Sequence, residues 1–293
     1  MKKQFLYLSF LTGLLIVCFT FMACGGDDDG LAGSTGNGGG FSQTSDGQST
    51  GKFRGAKHVF GNNLVKAFTS SKGYRYEFTY DANGFMTKAK EIDSYQTDEY
   101  VFSYSENKIT WTRYKNGTFK ETLTASIGSN GFVSSYTDDD ETYRFTYDNS
   151  DHLTRFIISE EGKSNYDDNV NLTWQNGNVV SAVNQDSKPD TYTVVYQKDS
   201  QGPITNDANL VDLDHIASIN VDVEDFLVYG GAIGFGPTHL PISTTEQSET
   251  KTNLYTNTWQ FDGQHRATRL ERKKNATEGS YSYSETTVYT WEY

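Results

Sequence analysis

Aromatic residues at every second position constrain this chain more than any other feature. Tyr74, Tyr76, Phe78 and Tyr80 fall on one side of an extended backbone, with Arg75, Glu77 and Thr79 on the other. Tyr100, Phe102 and Tyr104 repeat the pattern, as do Tyr143, Phe145 and Tyr147, then Val170, Leu172 and Trp174, then Tyr192, Val194 and Tyr196. Tyr281 and Tyr283, then Tyr289, Trp291 and Tyr293, carry it through the last strands. A side-chain period of two belongs to a strand with one buried face. Aromatic and β-branched residues are the types such strands favour.

Turn signals separate these runs. Asp81-Ala82-Asn83-Gly84, Asn116-Gly117, Asn130-Gly131 and Asn176-Gly177 each place Asn-Gly between alternating segments. Both residues tolerate positive φ, so the pair is the strongest short-range hairpin signal. Turn starts at Asp81, Ser105, Ser129, Asp148, Gln175 and Gln197 lie 19 to 27 residues apart, one hairpin per unit. The expected fold is all-β, an antiparallel hairpin meander curling into a barrel-like or strongly curved sheet.

Residues 206–241 follow a different grammar. Leu210, Val211, Leu213, Ile216 and Ile219, then Phe226, Leu227, Val228 and Tyr229, suit a helical face better than a strand pair. Asp222 and Asp225 precede the second run as a weak helix start. Gly230, Gly231, Gly234 and Gly236 end it, and Pro237 and Pro241 prevent its resumption. One or two short helices plugging an end or face of the sheet are predicted.

The N-terminus reads as an address. Lys2 and Lys3 precede an apolar stretch from Phe5 to Ala23 that ends at Cys24. Its length would also serve an uncleaved signal anchor. Ala23-Cys24 at the end of an apolar core resembles the lipobox of bacterial lipoproteins, which implies cleavage after residue 23 and acylation of Cys24. Asp27, Asp28 and Asp29 resemble the surface-export signal of Bacteroidetes lipoproteins; a solvated acidic spacer is the plainer alternative. Residues 24–50 hold many glycines and no Lys or Arg, so they read as a flexible tether, with a single β-domain over 51–293. The chain's two cysteines, Cys18 and Cys24, both precede that domain, which leaves it no thiol for a disulfide, nucleophile or metal ligand. The formal net charge of −13 argues against nucleic acid, and 35% hydrophobic residues are too few for a polytopic helical membrane protein.

Two units carry a sharper likeness. Phe78-Thr79-Tyr80-Asp81-Ala82-Asn83-Gly84-Phe85 and Phe145-Thr146-Tyr147-Asp148-Asn149-Ser150-Asp151-His152-Leu153 resemble the YD repeats of Rhs and teneurin shells. Phe102-Ser103-Tyr104-Ser105 and Trp259-Gln260-Phe261-Asp262-Gly263 keep part of the pattern. The whole order (lipobox, Gly-rich tether, Tyr-Asp hairpins, apolar break with Leu240-Pro241, closing strands) resembles a family of uncharacterised Bacteroidetes lipoproteins described as having a porin-like fold. That resemblance implies a shape. It assigns no catalytic residue.

No motif for chemistry rises above its structural alternative. None of His58, His152, His215, His239 and His265 has metal-ligand spacing. Asp212, Asp214 and His215 suit a polar helix edge better than a metal site. Asp138-Asp139-Asp140-Glu141 has the oxygen donors of a Ca²⁺ loop but reads as a solvated turn. Asp148 and Asp151 suit Asx capping. Gly47-Gln48-Ser49-Thr50-Gly51 matches the nucleophile elbow in letters only, since it lies in the tether. His239 beside the Gly-rich run lacks the phosphate-loop lysine. An integral outer-membrane barrel is disfavoured, because tyrosine runs along whole strands instead of gathering into two girdles. No cofactor and no metal are expected. The expected partners are the lipid bilayer, through acylated Cys24, and an extracellular glycan or protein. The leading expectation is a non-enzymatic surface lipoprotein of the outer membrane; the alternative is a periplasm-facing carrier of a small apolar ligand.

Overall fold

The computed structural model describes residues 52–161, 168–185, 189–197 and 202–293. A five-residue helix, α1 (Ala56–Phe60), precedes the first strand. The strands run β1 (Ala67–Ser70), β2 (Tyr74–Tyr80), β3 (Met86–Ile92), β4 (Thr97–Ser105), β5 (Lys108–Lys115) and β6 (Thr118–Ile127). They continue with β7 (Val133–Asp138), β8 (Glu141–Tyr147), β9 (Leu153–Glu160), β10 (Asp168–Gln175), β11 (Asn178–Asn184) and β12 (Asp190–Val195). The apolar break holds β13 (Ile204–Thr205), α2 (Leu213–Ala217), α3 (Asp225–Tyr229) and β14 (His239–Leu240). The chain closes with β15 (Ser243–Gln247), β16 (Lys251–Phe261), β17 (Ala267–Glu278) and β18 (Tyr281–Glu292). All but β13 and β14, which pair with each other, form one closed antiparallel barrel of sixteen strands. Strand β12 pairs with β15 across the break, and β18 pairs with β1. The expected curling of the meander is thus carried to full closure, which leaves the barrel sheet itself without an edge strand.

Antiparallel neighbours send alternate turns to opposite ends. The turns after β2, β4, β6, β8, β10 and β16 share one end with both feet of the break and with the approach to β1. This is the capped end. The turns after β1, β3, β5, β7, β15 and β17 lie at the other, free end.

The Tyr-Asp signature builds the capped end. Asp81 Oδ1 accepts from the backbone N–H of Asn83 (2.9 Å) and Phe85 (2.8 Å). Asp148 Oδ1 does the same for Ser150 (2.8 Å) and His152 (2.9 Å), and Asp262 Oδ1 for Gln264 (2.9 Å) and Arg266 (3.0 Å). One carboxylate oxygen thereby satisfies two turn amides, which is why aspartate recurs there. Asp148 is the capping member of its turn, while Asp151 takes the left-handed conformation at φ 62°. The preceding aromatic is a stitch. Tyr80 donates its hydroxyl to Val65 O (2.9 Å), Tyr104 to Met86 O (2.6 Å) and Tyr147 to Val133 O (2.8 Å). Trp174 Nε1 donates to Leu153 O (2.7 Å), Tyr196 to Val179 O (2.9 Å), Trp259 Nε1 to Pro241 O (2.8 Å) and Tyr293 to Ala267 O (2.8 Å). Each aromatic ends a strand running toward the capped end and ties it to the carbonyl where its partner begins. The ring fills the interior and the polar tip closes a backbone group that burial would otherwise leave open.

The wall has an apolar inside and a polar outside. Phe68, Tyr76, Phe78, Trp111, Tyr136, Phe145, Phe156, Tyr192, Leu270 and Trp291 point inward and are buried. The outward positions of β16 to β18 include Thr252, Thr256, Thr258, Arg269, Glu271, Lys273, Ser284, Thr286 and Thr290. Outward threonines pair across strands, Thr110 with Thr124 at 3.0 Å and Thr112 with Thr122 at 3.1 Å. A hydrocarbon-facing wall would place aliphatics here, and each Lys or Arg at its midplane would cost about 2–4 kcal/mol.

Sixteen strands enclose more space than wall side chains can fill. Residues 206–241 enter from the capped end and pack into it; Leu210, Ile216, Ile219, Phe226 and Tyr229 are at most 1% exposed, while Asp214, Asn220 and Asp222 stay exposed. Phe226 packs on Tyr100, Phe102 and Trp111, and Tyr229 on Phe68 and Phe78. The two short helices match the expectation. The Gly-rich run serves close packing, since a Cβ at Gly236 would collide with Leu210 O and one at Gly234 with Asp151 O. The N-terminal segment packs at the same end: Phe53 stacks on Tyr104 at 5.4 Å, and Ala56 N–H donates to Gly84 O at 2.9 Å.

Candidate functional site

Two regions concentrate chemistry, one buried between the insert and the wall and one at the free end. The buried one centres on His215. Asp212 caps α2 by accepting from His215 N–H at 3.0 Å, and its other oxygen lies 2.5 Å from His215 Nδ1. Asp225, at the start of α3, stands 3.6 Å from the same nitrogen, and His215 Nε2 is 2.9 Å from the Tyr74 hydroxyl. Tyr229 donates to Asp212 (3.2 Å) and receives from Trp291 Nε1 (2.9 Å). Arg272 donates to the carbonyls of Asp214 and His215. Burial opposes a charge on the imidazole, but the Asp212 and Asp225 carboxylates outweigh it and hold His215 up at about 9. The imidazolium thus stands between two carboxylates, joining the insert to wall residues of β2, β17 and β18.

Asp212, His215 and Asp225 have ligand atoms close enough for a metal ion. Both ring nitrogens of His215 are already engaged, however, and its charged form competes with coordination. The group acts as an internal latch. The polar helix edge read from the sequence is this latch seen without its long-range partners.

The other histidines are placed for structure. His152 stacks on Trp174 at 4.2 Å and pairs with Asp148 at 3.1 Å. His239 meets Asn178 at 3.0 Å, and His58 meets Arg54 at 2.9 Å. His265 occupies a turn at φ 61°.

One set of charges at the free end faces inward. Strand pairing sets Glu91 opposite Asp98 and Asp98 opposite Lys115, while Arg113 joins Asp98 (2.9 Å) to Glu121 (3.2 Å). The acidic turn read as a possible Ca²⁺ loop contributes Asp138 and Asp139, which gather with Glu121 from β6. Burial, then the Glu121 and Asp139 carboxylates, push Asp138 up to about 6.

Across the barrel, β15 to β18 carry a second inward set. Glu246 accepts from Lys251 (2.5 Å), Asn253 (2.7 Å) and the Tyr255 hydroxyl (2.6 Å). These bonds hold its carboxyl below the usual range, against the effect of burial. The Lys274 ammonium lies 5.6 Å from the ring centres of both Tyr255 and Tyr283. Tyr283 neighbours Tyr281 at 6.1 Å, and the two are 43% and 66% exposed. Tyr95 and Phe119 are also exposed at this end. The sequence placed Tyr281 and Tyr283 on a strand face but did not distinguish them from core tyrosines. The available signal was polar residues at inward positions of the same strands: Asn253, Tyr255 and Lys274.

Cys24, the acidic run Asp27, Asp28 and Asp29, and the Gly47–Gly51 motif lie outside the described residues.

Comparison with known proteins agrees with the architecture. The family described as "Domain of unknown function (DUF4595) with porin-like fold" matches residues 78–269. No curated protein matches the chain. Among solved structures, a porin-like protein from Bacteroides uniformis is similar at 14% identity and a TM-score of 0.57, over 78% of this chain and 96% of that one. A porin-like protein from Bacteroides vulgatus is similar at 12% identity and a TM-score of 0.50, over 78% of this chain and 98% of that one. At such identities the likeness concerns the fold.

Proposed function

This chain belongs to the DUF4595 family of porin-like fold, and from that premise we propose that it is a lipid-anchored surface lipoprotein whose barrel is a non-enzymatic binding domain. The anchor is acylated Cys24, with Asp27, Asp28 and Asp29 as export signal. The ligand, an extracellular glycan or protein, is held at the free end. The observation that carries this reading is the contrast between the two ends. The N-terminal segment packs at the capped end through Phe53 and Ala56, where both feet of the insert also lie. The exposed aromatics Tyr95, Phe119, Tyr281 and Tyr283 stand at the opposite end. The described chain thus begins at the end opposite the aromatic rim.

The polar outer wall supports a barrel held off the bilayer instead of within it. The insert weighs against a carrier enclosing a small apolar ligand, because Phe226 and Tyr229 already cover aromatic wall residues such as Trp111 and Phe78. The burial of His215 and the engagement of both its ring nitrogens weigh against acid–base catalysis at that centre.

Protease shaving of intact cells, with immunodetection of residues 51–293, tests the placement. The expected result is loss of the signal without lysis. Protection until the outer membrane is opened would overturn the surface placement and favour the periplasmic carrier, whose apolar cargo mass spectrometry of the purified chain would then reveal.

A further inference from the structure

We infer that the inner face of the β16–β18 lip binds a neutral oligosaccharide, with Tyr281 and Tyr283 as the stacking platform; this rests on the free end being the binding end. Strand register places the groups in rows. Lys251, Glu278 and Tyr281 form the outermost row, and Asn253, Ala276 and Tyr283 the next. Tyr255, Lys274 and Glu285 form the third. The small Ala276 leaves the Tyr283 ring without a bulky neighbour on that row. The two phenol rings lie side by side, 6.1 Å apart at 40°, and are exposed although they point inward. A pyranose has an apolar C–H face and a rim of hydroxyls. Two adjacent rings suit two successive sugars of a chain, with the C–H faces on the aromatics.

Hydroxyls need donors and acceptors together, and the third row supplies both. Lys274 makes no ion pair among the described residues and rests only over the Tyr255 and Tyr283 rings, so its three donors are available. The Tyr255 hydroxyl, which gives its proton to Glu246 of the second row, keeps an oxygen lone pair beside it as an acceptor. In the same stretch of wall, buried Asn253 Oδ1 and Thr244 Oγ1 have no hydrogen-bond partner among the described residues. Charge selects the neutral class. Lys251 is neutralised by Glu246 at 2.5 Å, and Glu285 lies 3.7 Å from Lys72. The inward carboxylates Glu91, Asp98, Glu121 and Asp138, in a chain of net charge −13, disfavour a polyanion.

The test is isothermal titration of the full chain with maltohexaose, cellohexaose, xylohexaose and mannohexaose, with hexagalacturonate as the anionic comparator. At least one neutral hexasaccharide is expected to bind. Tyr281→Ala and Tyr283→Ala, both at exposed rings that leave the core intact, should each weaken it about tenfold, as should Lys274→Met. Phe261→Ala, at an exposed ring on the capped end, should change nothing. Binding untouched by the lip variants would overturn the assignment while leaving a binding domain in place. Binding of hexagalacturonate alone would overturn the neutral class. Silence across the panel would overturn the saccharide, and the free-end reading would then be judged separately by capture of a protein that Tyr95→Ala or Phe119→Ala abolishes.

Discussion

Replacing His215 by glutamine tests whether a charged imidazole holds the insert in the barrel. The Asp212 and Asp225 carboxylates hold this histidine at about 9, against an ordinary 6.5. In the unfolded chain the group loses its proton near 6.5; in the fold it keeps it. Its contribution to stability is therefore complete below 6.5 and disappears as the pH rises through about 9. At about 1.4 kcal/mol per pH unit, the displacement from 6.5 to about 9 is worth about 3 kcal/mol. Buried tyrosines such as Tyr76 and Tyr229 are held above the ordinary phenol range by burial, so ionisation of the unfolded chain weakens both proteins alike at higher pH. The informative quantity is thus the difference between wild type and His215→Gln, measured from pH 6 to 9.5. At pH 6 the wild type should be more stable, and by pH 9.5 the gap should narrow by about 3 kcal/mol. For a domain of this size that is roughly 6–12 °C in Tm, followed by circular dichroism. A gap that stays constant over this range would mean a neutral His215 and would refute the latch.

The capped-end repeat gives a second pair of expectations. Asp148→Ala removes the acceptor of two turn amides and should cost about 1–2 kcal/mol, while Tyr147→Phe leaves Val133 O without its stitch and should cost about 1–3 kcal/mol, both read by urea titration. The outer wall gives a third. Thr256→Lys, at an exposed outward position of β16, should change stability by less than about 0.5 kcal/mol. A loss of about 2–4 kcal/mol there in a lipid environment would instead mark the wall as hydrocarbon-facing.

Much of the architecture was legible because it is local. Period-two aromatics such as Tyr74 to Tyr80 announce strands, and the Asp turns announce hairpins, since Asp81 and Asn83 act within one turn. The helical grammar of 213–229 was also local. What escaped was long-range. The latch joins Tyr74 to His215 and Trp291 to Tyr229, and no spacing rule connects residues that far apart. Closure through β1 was hidden because that strand has only four residues and one large aromatic, Phe68. The lip was masked by its own chemistry. Lys274 and Asn253 sit at inward positions where the alternation calls for apolar residues, which interrupts the pattern along β16 and β17. Tyr281 and Tyr283 carry the same residue type as the core. Only register and exposure separate a binding tyrosine from a packing one.

The placement of the N-terminal segment also governs how the molecule bears load. Tension between Phe53 at one end of the barrel and anything gripped at the other runs along the barrel, not around it. The first barrel strand met by that pull is β1, drawn lengthwise between β2 and β18, with four residue pairs on each side. Its hydrogen bonds would be sheared together and not unzipped one after another, and the bond from Ala56 to Gly84 shares the force with the β2–β3 turn before β1 feels it.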